Sequence, residues 1–182
     1  MGGDVVAEGM NRVLTGVFET PWGEGTVSVC RGWLAGVELP PLRSNCAEGQ
    51  GAQADSLDDA ALERWTGELE AYFRGERLAW RPEDVPLDQL AVGPFARDVY
   101  AALLSVPPAV TVSYGTLAEM AGYPRAARAV GSAMANNPIP IVIPCHRVVR
   151  SDGTLGNYGT DPAWKERLLT HEAEHNTGRV PG

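Results

Sequence analysis

Cys145, His146, Arg147 and Arg150 fall within six consecutive positions, directly after the apolar run Ile141-Val142-Ile143-Pro144. The thiolate, not the thiol, is the nucleophile, and an imidazole with guanidinium charge nearby gives a cysteine reason to ionise. The preceding run is β-branched and broken by Pro144, which is strand composition. The expectation is therefore a short strand that delivers Cys145 into a loop, a common place for chemistry. Adjacent residues on a strand point to opposite faces. Cys145 and His146 would then communicate through a water instead of touching. The plainer alternative is a buried structural cysteine, since free cysteine is among the most buried residue types.

The other thiols, Cys30 and Cys46, lie far from this stretch. Three widely spaced cysteines fit reduced thiols better than a disulfide framework. There is no C-x-x-C, and His146, His171 and His175 all sit near the C-terminus, so no metal site is expected. The 182 residues suffice for one large or two small domains, and 44% apolar with 21% charged residues is a soluble globular composition. No apolar run approaches the roughly 20 residues of a membrane helix, and residues 1–11 lack an apolar leader core. The expected setting is cytoplasmic, away from membranes.

A net charge of −8 argues at first against nucleic acid. Its distribution weakens that objection. Residues 1–90 hold 16 acids and 7 bases, whereas residues 91–182 hold 7 acids and 8 bases. Between 122 and 150 stand Arg125, Arg128, Arg147 and Arg150 with no acid, a patch able to hold phosphates with salt-sensitive affinity.

Which elements would position these groups? Alternating segments at 13–18, 25–30 and 33–39, separated by Pro21-Trp22-Gly23 and Arg31-Gly32, predict an antiparallel meander. Cys30 belongs to that sheet as a structural residue, and Cys46 to a surface loop over 40–56. Leu62, Trp65, Leu69, Tyr72 and Phe73 recur at helical spacing, predicting a helix over 57–75 capped by Ser56 or Asp58, its aromatic stripe facing the core. Residues 81–93 read as a linker, which places a domain boundary near residue 90 and divides the chain into 1–90 and 91–182. Beyond it, helices are expected over 95–104, 116–121 and 125–136. The last two are joined by the short turn Gly122-Tyr123-Pro124, as in a helix-turn-helix, whose second helix enters a DNA groove. Small residues on that helix (Ala126, Ala127, Ala129, Gly131) permit close approach to a nucleic-acid backbone. An ordinary helical hairpin is equally compatible with this stretch taken alone. The Asn136-Asn137-Pro138 turn then leads into Cys145. The glycine-flanked segment Gly156-Asn157-Tyr158-Gly159 suits a loop that brings backbone N–H groups near a ligand. A final helix begins near Pro162 and runs to His171-Glu172, followed by a disordered tail over 176–182.

These motifs resemble the O6-alkylguanine-DNA alkyltransferase family. Pro144-Cys145-His146-Arg147-Val148 is similar to its active-site signature. Ser113-Tyr114, Ala126-Ala127-Arg128-Ala129-Val130-Gly131, Asn137-Pro138, Pro140, Gly156-Asn157-Tyr158 and Lys165-Glu166 through His171-Glu172 follow the family's order over residues 94–175. The resemblance implies an α+β protein, with an N-terminal ribonuclease-H-like domain of sheet plus helix and a C-terminal winged helix-turn-helix alkyltransferase domain. It implies direct, stoichiometric and irreversible transfer of an alkyl group from O6-alkylguanine, and from O4-alkylthymine, to Cys145. His146 would take the thiol proton through a water, Glu172 would orient His146, Asn137 would bridge turn and site, and Tyr114 would protonate the departing base. Arg128 would fill the space left by the extruded nucleotide, because the O6 atom lies inside the stack. Arg125, Ala126, Ala127 and Ser113 would meet the DNA. Met134 and Pro140 would line the alkyl pocket, and Cys145, Val148, Tyr158 and Gly159 would face the base. Gly159 stands where many members have serine, so backbone donors must serve O6 there.

The partner implied is double-stranded DNA gripped through the minor groove by a monomer, with no cofactor and no metal. Three rivals fit less well. A lesion-flipping binder without the acceptor has no use for Cys145, a plain winged-helix regulator leaves Cys-His with a distal glutamate unexplained, and a cysteine hydrolase needs direct thiol–imidazole pairing.

Overall fold

The computed structural model describes residues 13–40, 56–156, 158 and 163–176. The loop holding Cys46, the tail over 177–182 and the individual positions Asn157, Gly159 and Pro162 lie outside the described residues. The fold is mixed α+β, built from small sheets and five α-helices among the described residues.

Strands β1 (Leu14–Thr20), β2 (Gly23–Cys30) and β3 (Trp33–Glu38) form the expected antiparallel meander in the order β1-β2-β3. Leu14, Phe18, Val27, Val29, Leu34 and Val37 supply its buried face. Leu34 and Val37 are three apart, an odd separation that would put them on opposite faces of a regular strand. A register shift between Ser28 and Val29 corrects this, pairing Val27 with Val37 and Val29 with Leu34, as a β-bulge does. Helix α1 (Ser56–Phe73) covers that face with Ala61, Trp65, Leu69, Tyr72 and Phe73. Its start is tied down by Asp58, whose Oδ1 accepts the Gly32 N–H at 2.6 Å from the β2–β3 turn.

Residues 81–93 are not a loose linker. The stretch holds a 3₁₀ turn, Pro82–Asp84, and buries Val85, Leu87 and Leu90, with Trp80 buried just ahead of it. The prolines of the expected linker stiffen a segment whose apolar side chains join one continuous core with both halves of the chain.

Helix α2 (Pro94–Leu104) opens with proline at its first position and buries Val99, Tyr100, Leu103 and Leu104. Strand β4 (Val112–Ser113) leads directly into α3 (Tyr114–Met120), and the Ser113 hydroxyl caps that helix by accepting the Thr116 N–H at 3.0 Å. Helix α4 (Ala127–Ala135) follows. The α3–α4 connection is longer than the three-residue turn expected. It spans residues 121–126 and uses left-handed backbone at Gly122 (φ 83°) and Arg125 (φ 73°). Strand β5 (Val148–Val149) pairs in parallel with β4, Val112 against Val148 and Ser113 against Val149. Helix α5 (Ala163–His175) closes the described chain. No described helix is long and apolar enough to cross a membrane.

The expected strand before Cys145 is absent. Residues 141–143 form a turn with Ile141 at φ 74° and a single bridge between Pro140 and Ile143. Pro140 and Pro144 lack the N–H donors that a ladder needs, so the segment buries its apolar side chains as a turn. Cys145, His146 and Arg147 then form a 3₁₀ turn. Neighbouring side chains therefore diverge around a helix axis, not to opposite faces of a strand.

Candidate active site

Cys145 is 6% exposed. Burial raises its thiol pKa above the usual range, while a hydrogen bond from Asn137, the nearby Tyr158 hydroxyl and the Lys165 charge work in the opposite direction. The net result is a protonated thiol at rest, so attack requires a proton acceptor. Asn137 stands at the end of the α4 turn. Its Nδ2 donates to Cys145 Sγ at 3.1 Å and to Ile143 O at 2.8 Å, while its Oδ1 accepts the Ile139 N–H at 3.1 Å. One amide thus holds both the turn and the sulfur.

His146 is fully buried, with Nε2 at 2.7 Å from Glu172 Oε1. Glu172 is also fully buried. Burial alone would raise its pKa, but the His146 and Arg147 partners overcome that and hold it down at about 2. An ionised carboxylate only accepts hydrogen bonds, so Nε2 must carry the proton. Burial lowers the His146 pKa and keeps the ring neutral. Nδ1 is then the nitrogen with the lone pair, and it has no hydrogen-bond partner among the described residues. The ring is a base held by its far nitrogen.

Arg147 corrects the sequence reading. It is 1% exposed and takes no part in a phosphate-facing patch. Its Nε and Nη2 donate to Glu172 at 3.1 and 2.8 Å, its Nη1 to Val106 O at 2.6 Å, and its Nη2 to Leu78 O at 2.7 Å. Ala109, in left-handed backbone at φ 61°, donates its N–H to Glu172 Oε2 at 2.8 Å, and the Tyr72 hydroxyl donates to Oε1 at 3.1 Å. A buried charge needs this degree of pairing. Helix α5 supplies Glu172 and, seven residues earlier on the same face, Lys165.

Lys165 is 1% exposed; its ammonium donates to Val148 O and lies 5.9 Å from the centre of the Tyr114 ring. Tyr114, the first residue of α3, is half-buried, and burial raises its pKa, keeping the phenol protonated. Tyr158 is buried, with a hydroxyl that has no geometrically sound hydrogen bond among the described residues although it lies close enough to Cys145 for each to perturb the other. Val148 is buried; its carbonyl accepts from Lys165, and the Cys145 carbonyl accepts from the Val148 N–H. Each carbonyl retains a second lone pair.

On α4, Val130 and Ala133 face inward, whereas Arg128, Ala129, Ser132 and Ala135 are exposed, as is Arg125 just before the helix. Ala126, Ala127, Ser113, Met134 and Pro140 are partly buried around it. Tyr72 and Lys165 are the polar groups whose roles the sequence did not disclose. Lys165 is the only lysine in the chain. Tyr72 sat in an aromatic stripe, where its hydroxyl was the one available signal, since a buried phenol needs a partner. Among the described residues no cluster of three or more histidines, cysteines or carboxylates converges as a metal site would.

A buried thiol, an anchored imidazole and an exposed helix rich in small residues define the class. Residues 94–174 match the family described as 6-O-methylguanine DNA methyltransferase, DNA binding domain. The methylated-DNA–protein-cysteine methyltransferase of Mus musculus is 41% identical over 172 residues, covering 86% of this chain and 79% of the relative. That of Homo sapiens is 38% identical, covering 91% and 82%. The crystal structure of Mycobacterium tuberculosis OGT in complex with DNA superposes with a TM-score of 0.71 at 33% identity, covering 88% of this chain and 93% of that one. The chain belongs to the methylated-DNA–protein-cysteine methyltransferase family.

Proposed function

We propose that this protein repairs alkylated DNA by moving the alkyl group of O6-alkylguanine, and of O4-alkylthymine, onto Cys145. The observation that carries the reading is the arrangement at His146. A neutral, fully buried imidazole is held through Nε2 by Glu172 and keeps a lone pair at Nδ1 with no partner among the described residues, one residue from a buried, protonated thiol. The thiol proton passes through a water to Nδ1. The sulfur attacks the alkyl carbon, an S–C bond forms, and the C–O6 bond breaks with its electron pair leaving on guanine. The protonated Tyr114 phenol supplies a proton or hydrogen bond to the departing base. A thioether resists water, so each molecule acts once.

Reaching O6 requires extrusion of the nucleotide. The exposed side of α4, with Arg128 and Arg125, is the surface offered to DNA, and Arg128 fills the gap in the stack. Met134 and Pro140 flank the alkyl group, while Tyr158 faces the base. We read the first half as ribonuclease-H-like and the second as a winged helix-turn-helix that enters the minor groove, where degenerate readout suits a protein indifferent to flanking sequence. The working unit is a monomer in the cytoplasm. The test is stoichiometry. With lesion-bearing duplex in excess, guanine recovered in the DNA must plateau at one equivalent per protein. Continued turnover, or loss of lesion without recovery of guanine, would refute the proposal.

A further inference from the structure

The residue that most exceeds its structural role is Tyr72. Phe73 beside it shows that an aromatic ring suffices for packing on α1, yet Tyr72 is fully buried and carries a hydroxyl. That hydroxyl donates to Glu172 Oε1, the oxygen that also accepts His146 Nε2 at 2.7 Å and Arg147 Nη2 at 2.8 Å. Its backbone carbonyl accepts from His171 Nε2 at 2.8 Å, so one residue grips two successive residues of α5. Its ring is stacked on Trp80 with centroids 6.1 Å apart. Just beyond the turn at Gly75, the Leu78 carbonyl takes Arg147 Nη2. At Gly75 (φ 74°) a side chain would run into the His175 ring, so close is the approach of this turn to α5. The end of α1 therefore determines where both the carboxylate and the guanidinium sit.

We infer that Tyr72 is a positioning residue for the proton transfer, acting on His146 through Glu172, so that the first half of the chain takes part in tuning the reaction. The inference rests on the relay proposed above. A donor on Oε1 stabilises the carboxylate charge and weakens its pull on the Nε2 proton. Without it, Glu172 becomes more basic and the imidazolium form of His146 is favoured. The groups facing this pair are Arg147 and the Ala109 N–H at Glu172, Lys165, Tyr158 and Cys145 around His146, and His171, Glu174 and His175 along α5. None of the others changes when only the phenol oxygen is removed.

The experiment is single-turnover transfer from free O6-benzylguanine, followed from about pH 5 to 9, in the full chain and in Tyr72→Phe, Phe73→Leu and His146→Gln. The Tyr72→Phe acid limb should move up by about one to two pH units, the scale of losing one hydrogen bond to a charged group. Phe73→Leu, a packing change, should leave the midpoint in place. An unmoved midpoint in Tyr72→Phe, with a limb that disappears in His146→Gln, overturns the inference and leaves the relay standing. A limb that persists in His146→Gln overturns both. Should Tyr72→Phe fail to fold, 3-fluorotyrosine at position 72, a stronger donor, must move the limb the opposite way, and an unchanged limb there also overturns the inference.

Discussion

Replacing Glu172 with glutamine keeps the shape of the side chain and removes the charge on which the site converges. The carboxyl is held at about 2 against an ordinary 4.5. At about 1.4 kcal/mol per pH unit, that difference is worth about 3 kcal/mol of folding stability. The sign follows from the direction. A folded-state pKa below the unfolded one stabilises the protein above pH 4.5, and the contribution is lost as pH falls toward 2. Breaking a buried pair also leaves the Arg147 guanidinium uncompensated, and such losses run to about 3–5 kcal/mol. Glu172→Gln should therefore cost about 3–5 kcal/mol near neutral pH. The gap from the wild type should narrow by about 2 kcal/mol on going from pH 6 to pH 3, where the unfolded carboxyl is protonated while the native one is still largely ionised. Urea unfolding followed by tryptophan fluorescence at several pH values reads both quantities, since Trp65, Trp80 and Trp164 are buried. A gap that does not change with pH, or one under about 1 kcal/mol at neutrality, would show that the carboxylate is not held by its ionic partners and would refute the reasoning.

Asn137→Ala removes the amide on Cys145 Sγ and should slow transfer by about 10–100-fold, as loss of a hydrogen bond to a developing thiolate predicts, when single-turnover rates are compared at one pH. Lys165→Met removes a charge that lowers the thiol pKa; thiolate absorbance titration should show the Cys145 midpoint rising, and a falling midpoint would contradict the assignment. Arg128→Ala should slow transfer from duplex DNA by about 100-fold, the scale of a few kcal/mol of unstacking, and leave transfer from the free base O6-benzylguanine unchanged. Equal losses on both substrates would remove Arg128 from the role of filling the stack.

Much of this was legible in residue order. The meander followed from alternation and turn residues, and α1 from its aromatic stripe. Cys145, His146, Asn137 and Glu172 do meet, though 35 positions separate Asn137 from Glu172. What failed did so for identifiable physical reasons. Composition suggested a strand at 141–143, but two prolines withheld the donors that pairing needs. Arg147 looked like part of a basic surface, because local sequence cannot show that a glutamate 25 residues away will bury it. The prolines of 81–93 suggested a linker, although the apolar residues among them were the stronger signal. Tyr72 was hidden for the same reason as Arg147: its partner is 100 residues distant.

The central claim is that Cys145 is the acceptor, and intact mass after incubation with duplex DNA carrying one O6-methylguanine tests it most directly. The account predicts a single gain of ~14 Da, one methyl in place of the thiol proton, located at Cys145 by peptide mapping and abolished in Cys145→Ala. Binding of the lesion with no gain in mass, or a gain that survives in Cys145→Ala, would contradict it.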